Sequence, residues 1–323
     1  MLNRIAVGRT SCAAATLMLI ALCSNLALAS NSWKVLPLTN HPSARINMAM
    51  AYDAAGKNIV LFGGDDGTSY LNDTWILNGS GWVQLHPPVS PSVRTASAMG
   101  FDRPTGKIVM FGGFNGAQYL GDTWIWDGVA QTWTEANPTS RPTPVTLPML
   151  YTDPLNGHAG MIGGFDGNFY QNITWQWTGT NWKFRNPVTW LWARGAALVA
   201  NDYGHRKVVI FGGLADVNPV NTWTWDGVNW TMENPATQPP WSYYTPGAYD
   251  PMLQGVVMFG GTSGLNLTWV WNGSDWGQLP TTNSFPSRDS HGLAYDYTTN
   301  HLFLFGGETS GTFVDSTGEL TVQ

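Results

Sequence analysis

Cysteine is nearly absent from this chain of 323 residues: Cys12 and Cys23 are the only two, and both stand near the start. The rest has no thiol for a disulfide, a metal thiolate or a nucleophile, so its stability has to come from packing and closure. Charge is scarce as well. Charged residues make up 11% of the chain, against roughly 25% in an ordinary globular domain, which argues against a coiled coil or a disordered tail. Basic residues are the scarcer sign, 15 against 21 acidic. Without Arg4 and Arg9 the balance is 13 − 21 = −8, a surface that repels phosphate backbones and excludes nucleic acid as a partner. Neither a Gly-x-Ser-x-Gly elbow nor a phosphate loop is present.

The single marked apolar run, Ala13 to Leu22, follows the basic residues Arg4 and Arg9 and precedes Ala27-Leu28-Ala29. This order of charged, apolar and small-x-small predicts a secretory signal over residues 1–29, cut after Ala29, and a secreted or periplasmic protein with no stable membrane span after processing. An uncleaved anchor is the competing reading. A lipoprotein would need a small residue where Leu22 precedes Cys23.

What the chain has in abundance is glycine and tryptophan, 37 and 18 residues, with aromatics at 13%. Gly-Gly pairs fall at Gly63-Gly64, Gly112-Gly113, Gly163-Gly164, Gly212-Gly213, Gly260-Gly261 and Gly306-Gly307, a period close to 50 residues. Each unit reads as four strands. A short strand of small and apolar residues ends in Asp, as in Met48 to Asp53. After a turn comes a continuous apolar run such as Ile108-Val109-Met110-Phe111, which implies burial on both faces. Beyond the Gly-Gly pair, a third strand carries Trp75, Trp124/Trp126, Trp175/Trp177, Trp223/Trp225 or Trp269/Trp271, the paired aromatics projecting from one face. A tight turn leads to a fourth strand opened by Trp82, Trp133, Trp182, Trp230 or Trp276.

Gly-Gly, an aromatic pair, a turn and a Trp at this period resemble the kelch repeat over nearly the whole chain past residue 30, with Trp126, Trp177, Trp225 and Trp271 where the family usually has Tyr. The resemblance implies an all-β protein: a six-bladed kelch β-propeller with four antiparallel strands per blade around a central channel. Residues 30–323 then form one domain. The last unit, 288–323, lacks its fourth strand, and Ser32 to Leu36 reads as an orphan fourth strand, so pairing the two closes blade six and removes two sheet edges.

Candidate site residues follow from departures within this pattern. Near the start of each unit stand Arg45, Arg94, Val145, Arg194, Ser242 and Arg288. Kelch propellers that bind acidic peptides present arginines at this place, so the resemblance allows a cationic ring at the channel mouth, on the face formed by the longer loops. The alternative is internal pairing with Asp65, Asp66, Asp73, Asp122, Asp166, Asp216 or Glu308. Trp190, Trp192, Trp241, Tyr243 and Tyr244 break the repeat template on the same face; they either stack on a ligand or cover a widened blade junction. His41, His86 and His291 lie on adjacent blades, but no close ligand spacing marks a metal site, and no cofactor is expected.

Three functional readings remain open. The first is a binding module that takes a glycan, an acidic peptide or a small acid at the mouth. The second is a carbohydrate-active enzyme similar to the periplasmic sialic acid mutarotases, with Asp166, Asp216 or Glu308 as its acid/base carboxylate. The third is a scaffold without a ligand. Galactose oxidase-like copper chemistry requires a thioether-forming cysteine that the processed chain lacks.

Overall fold

The computed structural model describes residues 31–322 except 217, 218 and 284. The predicted leader, 1–29, lies outside the described residues. Six four-stranded antiparallel sheets follow one another along the chain as the blades of a propeller. Blade two is typical, with strands Ala98–Asp102, Lys107–Phe111, Thr123–Asp127 and Thr132–Ala136 paired in sequence order. Blade six joins Gly292–Asp296, His301–Phe305 and Thr317–Thr321 to Ser32–Leu36, with Trp33 opposite Leu320. The first strand of each blade lines the channel and the fourth lies outermost. Among the described residues, no helix is long and apolar enough to cross a membrane.

The second strands are buried as their apolar runs require: Ile59, Val60, Leu61 and Phe62 have no exposed surface. Trp126, Trp177, Trp225 and Trp271 fill the spaces between neighbouring blades at 0–1% exposure. A single four-stranded sheet cannot cover both of its apolar faces, so each blade uses the next as its core.

Polar contacts fix the stacking. The indole N–H of each fourth-strand Trp donates to a threonine hydroxyl on the third strand of the blade before it: Trp133 to Thr74, Trp182 to Thr123, Trp230 to Thr174 and Trp276 to Thr222, at 2.9 to 3.0 Å. Trp33 to Thr268 and Trp82 to Thr317 complete the circle. The Gly-Gly pairs form a second circle. Gly64 N donates to Arg94 O, Gly113 N to Val145 O, and Gly307 N to Arg45 O, each at 2.9 Å. Gly112 shows why the pair is glycine: its φ is +73°, and a Cβ there would lie 2.6 Å from Val145 O.

Candidate functional site

The loop face is built by the segments between second and third strands. In three adjacent blades they read Gly67-x-x-Tyr70, Gly116-x-x-Tyr119 and Gly167-x-x-Tyr170. A short polar side chain shapes each turn. Asp66 Oδ1 accepts from the backbone N–H of Thr68 and Ser69, Asn115 Oδ1 from Ala117 and Gln118, and Asp166 Oδ1 from Asn168 and Phe169. The glycine inside each turn leaves room for the ring of the preceding blade. A Cβ on Gly116 would lie 2.9 Å from the Tyr70 ring, and one on Gly167 would meet Tyr119.

These interlocked loops hold an arc of half-buried rings: Tyr70 to Phe114 at 5.9 Å between centroids, Phe114 to Tyr119 at 5.3 Å, Tyr119 to Phe165 at 6.0 Å and Phe165 to Tyr170 at 5.0 Å. The arc continues through Tyr244, Tyr243 and Trp241, which meet edge-on and then tilted, with centroids 5.3 and 4.9 Å apart. Burial pushes the Tyr244 phenol above its ordinary range, with Tyr170, Tyr243 and Asp289 adding to the rise. A pocket of about 240 Å³ opens between Phe114, Tyr119 and Tyr244, with Asn47, Thr95 and Thr146 among its polar lining. Beside it, Glu308 and Asp289 exchange backbone hydrogen bonds. The Asp289 carboxyl is pushed up by burial and then by the charge of Glu308.

A closed ring of backbone hydrogen bonds forms the throat beneath this mouth. Asn47 N donates to Ser290 O, Ala96 N to Asn47 O, Leu147 N to Ala96 O, Ala196 N to Leu147 O, Tyr244 N to Ala196 O, and Ser290 N to Tyr244 O. All six residues have φ between +51° and +58°, a left-handed conformation that non-glycine residues adopt at some cost. That cost recurs once per blade and supplies the geometry of the ring.

The arginines do not line the mouth. Arg45, Arg94, Arg194 and Arg288 are 0–3% exposed, each guanidinium lodged within its own blade. Arg45 donates to Gly63 O and in a fork to Asp73, and Arg94 likewise to Gly112 O and Asp122. Arg194 meets Asn221 instead of an acid, and Arg288 meets Ser316 with its guanidinium 4.3 Å above the Phe285 ring. Burial lowers the pKa of both to about 10, so both stay charged at neutral pH. The cationic ring allowed by the sequence is therefore corrected to a set of internal braces; a buried cation is tolerated where forked hydrogen bonds hold it.

The odd aromatics separate into two groups. Tyr243 and Tyr244 belong to the arc, and Trp241 joins them with its indole N–H on Gly213 O. Trp190 instead packs on Phe184 at 6.0 Å, and Trp192, half exposed, leans on Trp223 at 6.1 Å; neither belongs to the pocket between Phe114, Tyr119 and Tyr244. The rings of the first three blades were missed from sequence, although the thrice-repeated Gly-x-x-Tyr was there to be read. His41 lies 3.9 Å from Asp315, whereas His291 is buried with neither ring nitrogen hydrogen-bonded. Among the described residues, no group of three or more His, Cys, Asp or Glu side chains is arranged to hold a metal ion.

A family model described as the KLHDC2/KLHL20/DRC7 Kelch-repeats domain matches residues 20–190, which is 171 of the 323. No curated protein matches the chain.

Proposed function

The chain belongs to the kelch-repeat family, whose propellers are in general protein-interaction modules, and from that premise we propose that it is a binding module that grips a protein partner at the loop-face mouth. The observation that carries this reading is the arc of half-buried rings from Tyr70 to Trp241 around the mouth. Flat side chains with few rotatable bonds and partly exposed faces are what interaction hot spots are made of. Asp65, Asp66, Asp166, Asp216, Asp289 and Glu308 stand in the same loops, and the four arginines are spent inside the blades. The matching partner is a segment with apolar and basic side chains rather than an acidic one.

A neutral sugar is the second reading, favoured by the size of the pocket between Phe114, Tyr119 and Tyr244 and by its amide and hydroxyl lining. An enzyme acting on an anionic sugar would need a guanidinium in the mouth, and the four arginines donate elsewhere. A bare scaffold fits the internal pairing but gives no reason to leave this many rings half exposed.

The test is selection from a displayed random-peptide library, with Tyr119→Ala and Tyr244→Ala as counter-selections and Trp192→Ala as a control. Enriched sequences should carry Lys or Arg beside apolar residues and lose at least tenfold in affinity on both tyrosine variants while keeping it on the control. Enrichment of acidic sequences, or affinity unchanged in both tyrosine variants, overturns the reading.

A further inference from the structure

The residue after each Gly-Gly pair stands at the mouth, bridged to the stretch that enters its own blade: Asp65 to Ile46, Phe114 to Thr95, Phe165 to Thr146, Leu214 to Gly195 and Glu308 to Asp289. Blade five has Thr262 there, its hydroxyl accepting from the Tyr243 N–H. Taken round the ring, blades two, three and four present Phe, Phe and Leu, whereas blades five, six and one present Thr, Glu and Asp, all of them partly exposed. The mouth is therefore divided into an apolar half and a polar, acidic half. The backbone pairing is the same in both, so the repeat itself does not require the division.

A second ring pairs with this position in four of the blades. In blades two and three ring meets ring, Phe114 with Tyr119 and Phe165 with Tyr170, centroids 5.3 and 5.0 Å apart. In blades one and six the ring is paired with a carboxylate residue instead, Tyr70 with Asp65 and Phe313 with Glu308. Both rings are half-buried, and a Cβ on Gly67 would lie 3.4 Å from the Phe313 ring, so the acidic half is continuous across the two blades. A ring face beside a carboxylate attracts a guanidinium or ammonium group through both the π-cloud and the charge. No cation of the chain takes that place. Among the described residues, the Lys and Arg side chains that reach a carboxylate reach Asp73, Asp122, Asp127 and Glu233. The Asp65 carboxylate accepts from the Gly67 N–H and that of Asp289 from the Ser290 hydroxyl. Burial and then the Glu308 charge push the Asp289 carboxyl up, as expected of neighbouring acids with no cation between them.

Resting on the mouth as the place that grips a protein segment, we propose that its two halves fix the direction in which the segment lies. An apolar side chain sits against Phe114, Phe165 and Leu214. A Lys or Arg side chain reaches across the axis to Asp65, Asp289 and Glu308, its stem along Tyr70 and Phe313. The reversed segment would set its apolar group among carboxylates and leave its cation without an acid.

The experiment selects a displayed random-peptide library on the whole protein and measures the enriched peptides on variants. Enriched peptides should carry Lys or Arg always on the same side of an apolar residue, at a fixed spacing. Asp65→Asn with Glu308→Gln, in which Asn can still accept from the Gly67 N–H, should weaken them at least tenfold. Replacing the peptide's basic residue by Ala should then cost less than twofold more, because its partners are already gone. Leu214→Asn should act through the peptide's apolar residue and leave the basic residue as important as before. Circular dichroism checks folding, and Glu308→Gln alone serves if the pair is unfolded. Basic residues found equally on either side of the apolar one would overturn the division. So would affinity kept in the charge variant but lost in Tyr119→Ala and Tyr244→Ala, a result that leaves the mouth as the site. Enrichment indifferent to those two tyrosines would overturn both.

Discussion

The indole N–H of Trp33 donates to the hydroxyl of Thr268 at 2.9 Å, across 235 residues of chain. Five other Trp–Thr pairs repeat that bond inside the ring, so the first described strand occupies the outer edge of blade six as an ordinary fourth strand. Trp33 is 3% exposed and packs on Phe259 and Phe285. Trp33→Ala should cost about 3–5 kcal/mol, the usual loss for deleting a buried aromatic. Thr268→Val, which strands a buried donor, should cost about 1–3 kcal/mol. Urea unfolding midpoints measure both. Loss of less than about 1 kcal/mol in Trp33→Ala would mean that the ring does not depend on this clasp.

The braces within blades yield a second prediction. Blade three carries Val145 and Ile173 where blade two carries Arg94 and Asp122, so the fold already accommodates an apolar pair at that place. Burial works against the Asp122 carboxylate, yet the hydrogen bond and charge of Arg94 win, and its pKa is lowered. Asp122→Ala leaves a buried guanidinium without its acid and should lose about 3–5 kcal/mol. Arg94→Val with Asp122→Ile should recover most of that loss. A double variant no more stable than the single one would contradict the exchange.

Acid sensitivity is the third. Burial, and then the charge of Arg288, holds the His291 imidazole well below its ordinary range. The unfolded chain takes up a proton near pH 6.5 that the folded chain refuses, so this residue's contribution to stability is present above pH 6.5 and is lost as pH falls below it. Between pH 7.5 and 5.0 the loss should reach up to about 2 kcal/mol. His291→Met, the residue blade one carries there as Met48, should remove that part of the slope. Equal slopes in wild type and variant, from urea midpoints across the range, would show that His291 is not what titrates.

The architecture was readable in advance because its determinants are local and repeated. Gly112 needs its positive φ whatever surrounds it, the run from Ile108 to Phe111 has no polar face to expose, and the Ser32–Leu36 strand had one vacancy to fill. The arginines left two readings open, a ring at the mouth or internal pairing, because a repeated cation looks the same in sequence whether it points to solvent or into its own blade; the pairing is what the structure shows. Asp73 and Asp122, 28 residues further on, were the informative partners, and only the register of the third strand shows that they fall within reach. The mouth rings escaped for a different reason. Tyr70, Tyr119 and Tyr170 are spaced like the rest of the repeat and so read as part of it, and their meeting across blades depends on glycines in neighbouring loops.

Hydrogen exchange followed by mass spectrometry, on the protein alone and with a peptide selected for binding, addresses the proposed mouth most directly. Slower exchange is expected in the segments 114–120, 165–171 and 241–245, which carry the arc, with the outer strands unchanged. Protection confined to the hairpin turns at 103–106, 154–158 and 203–206 would place the partner on the opposite face and contradict the account.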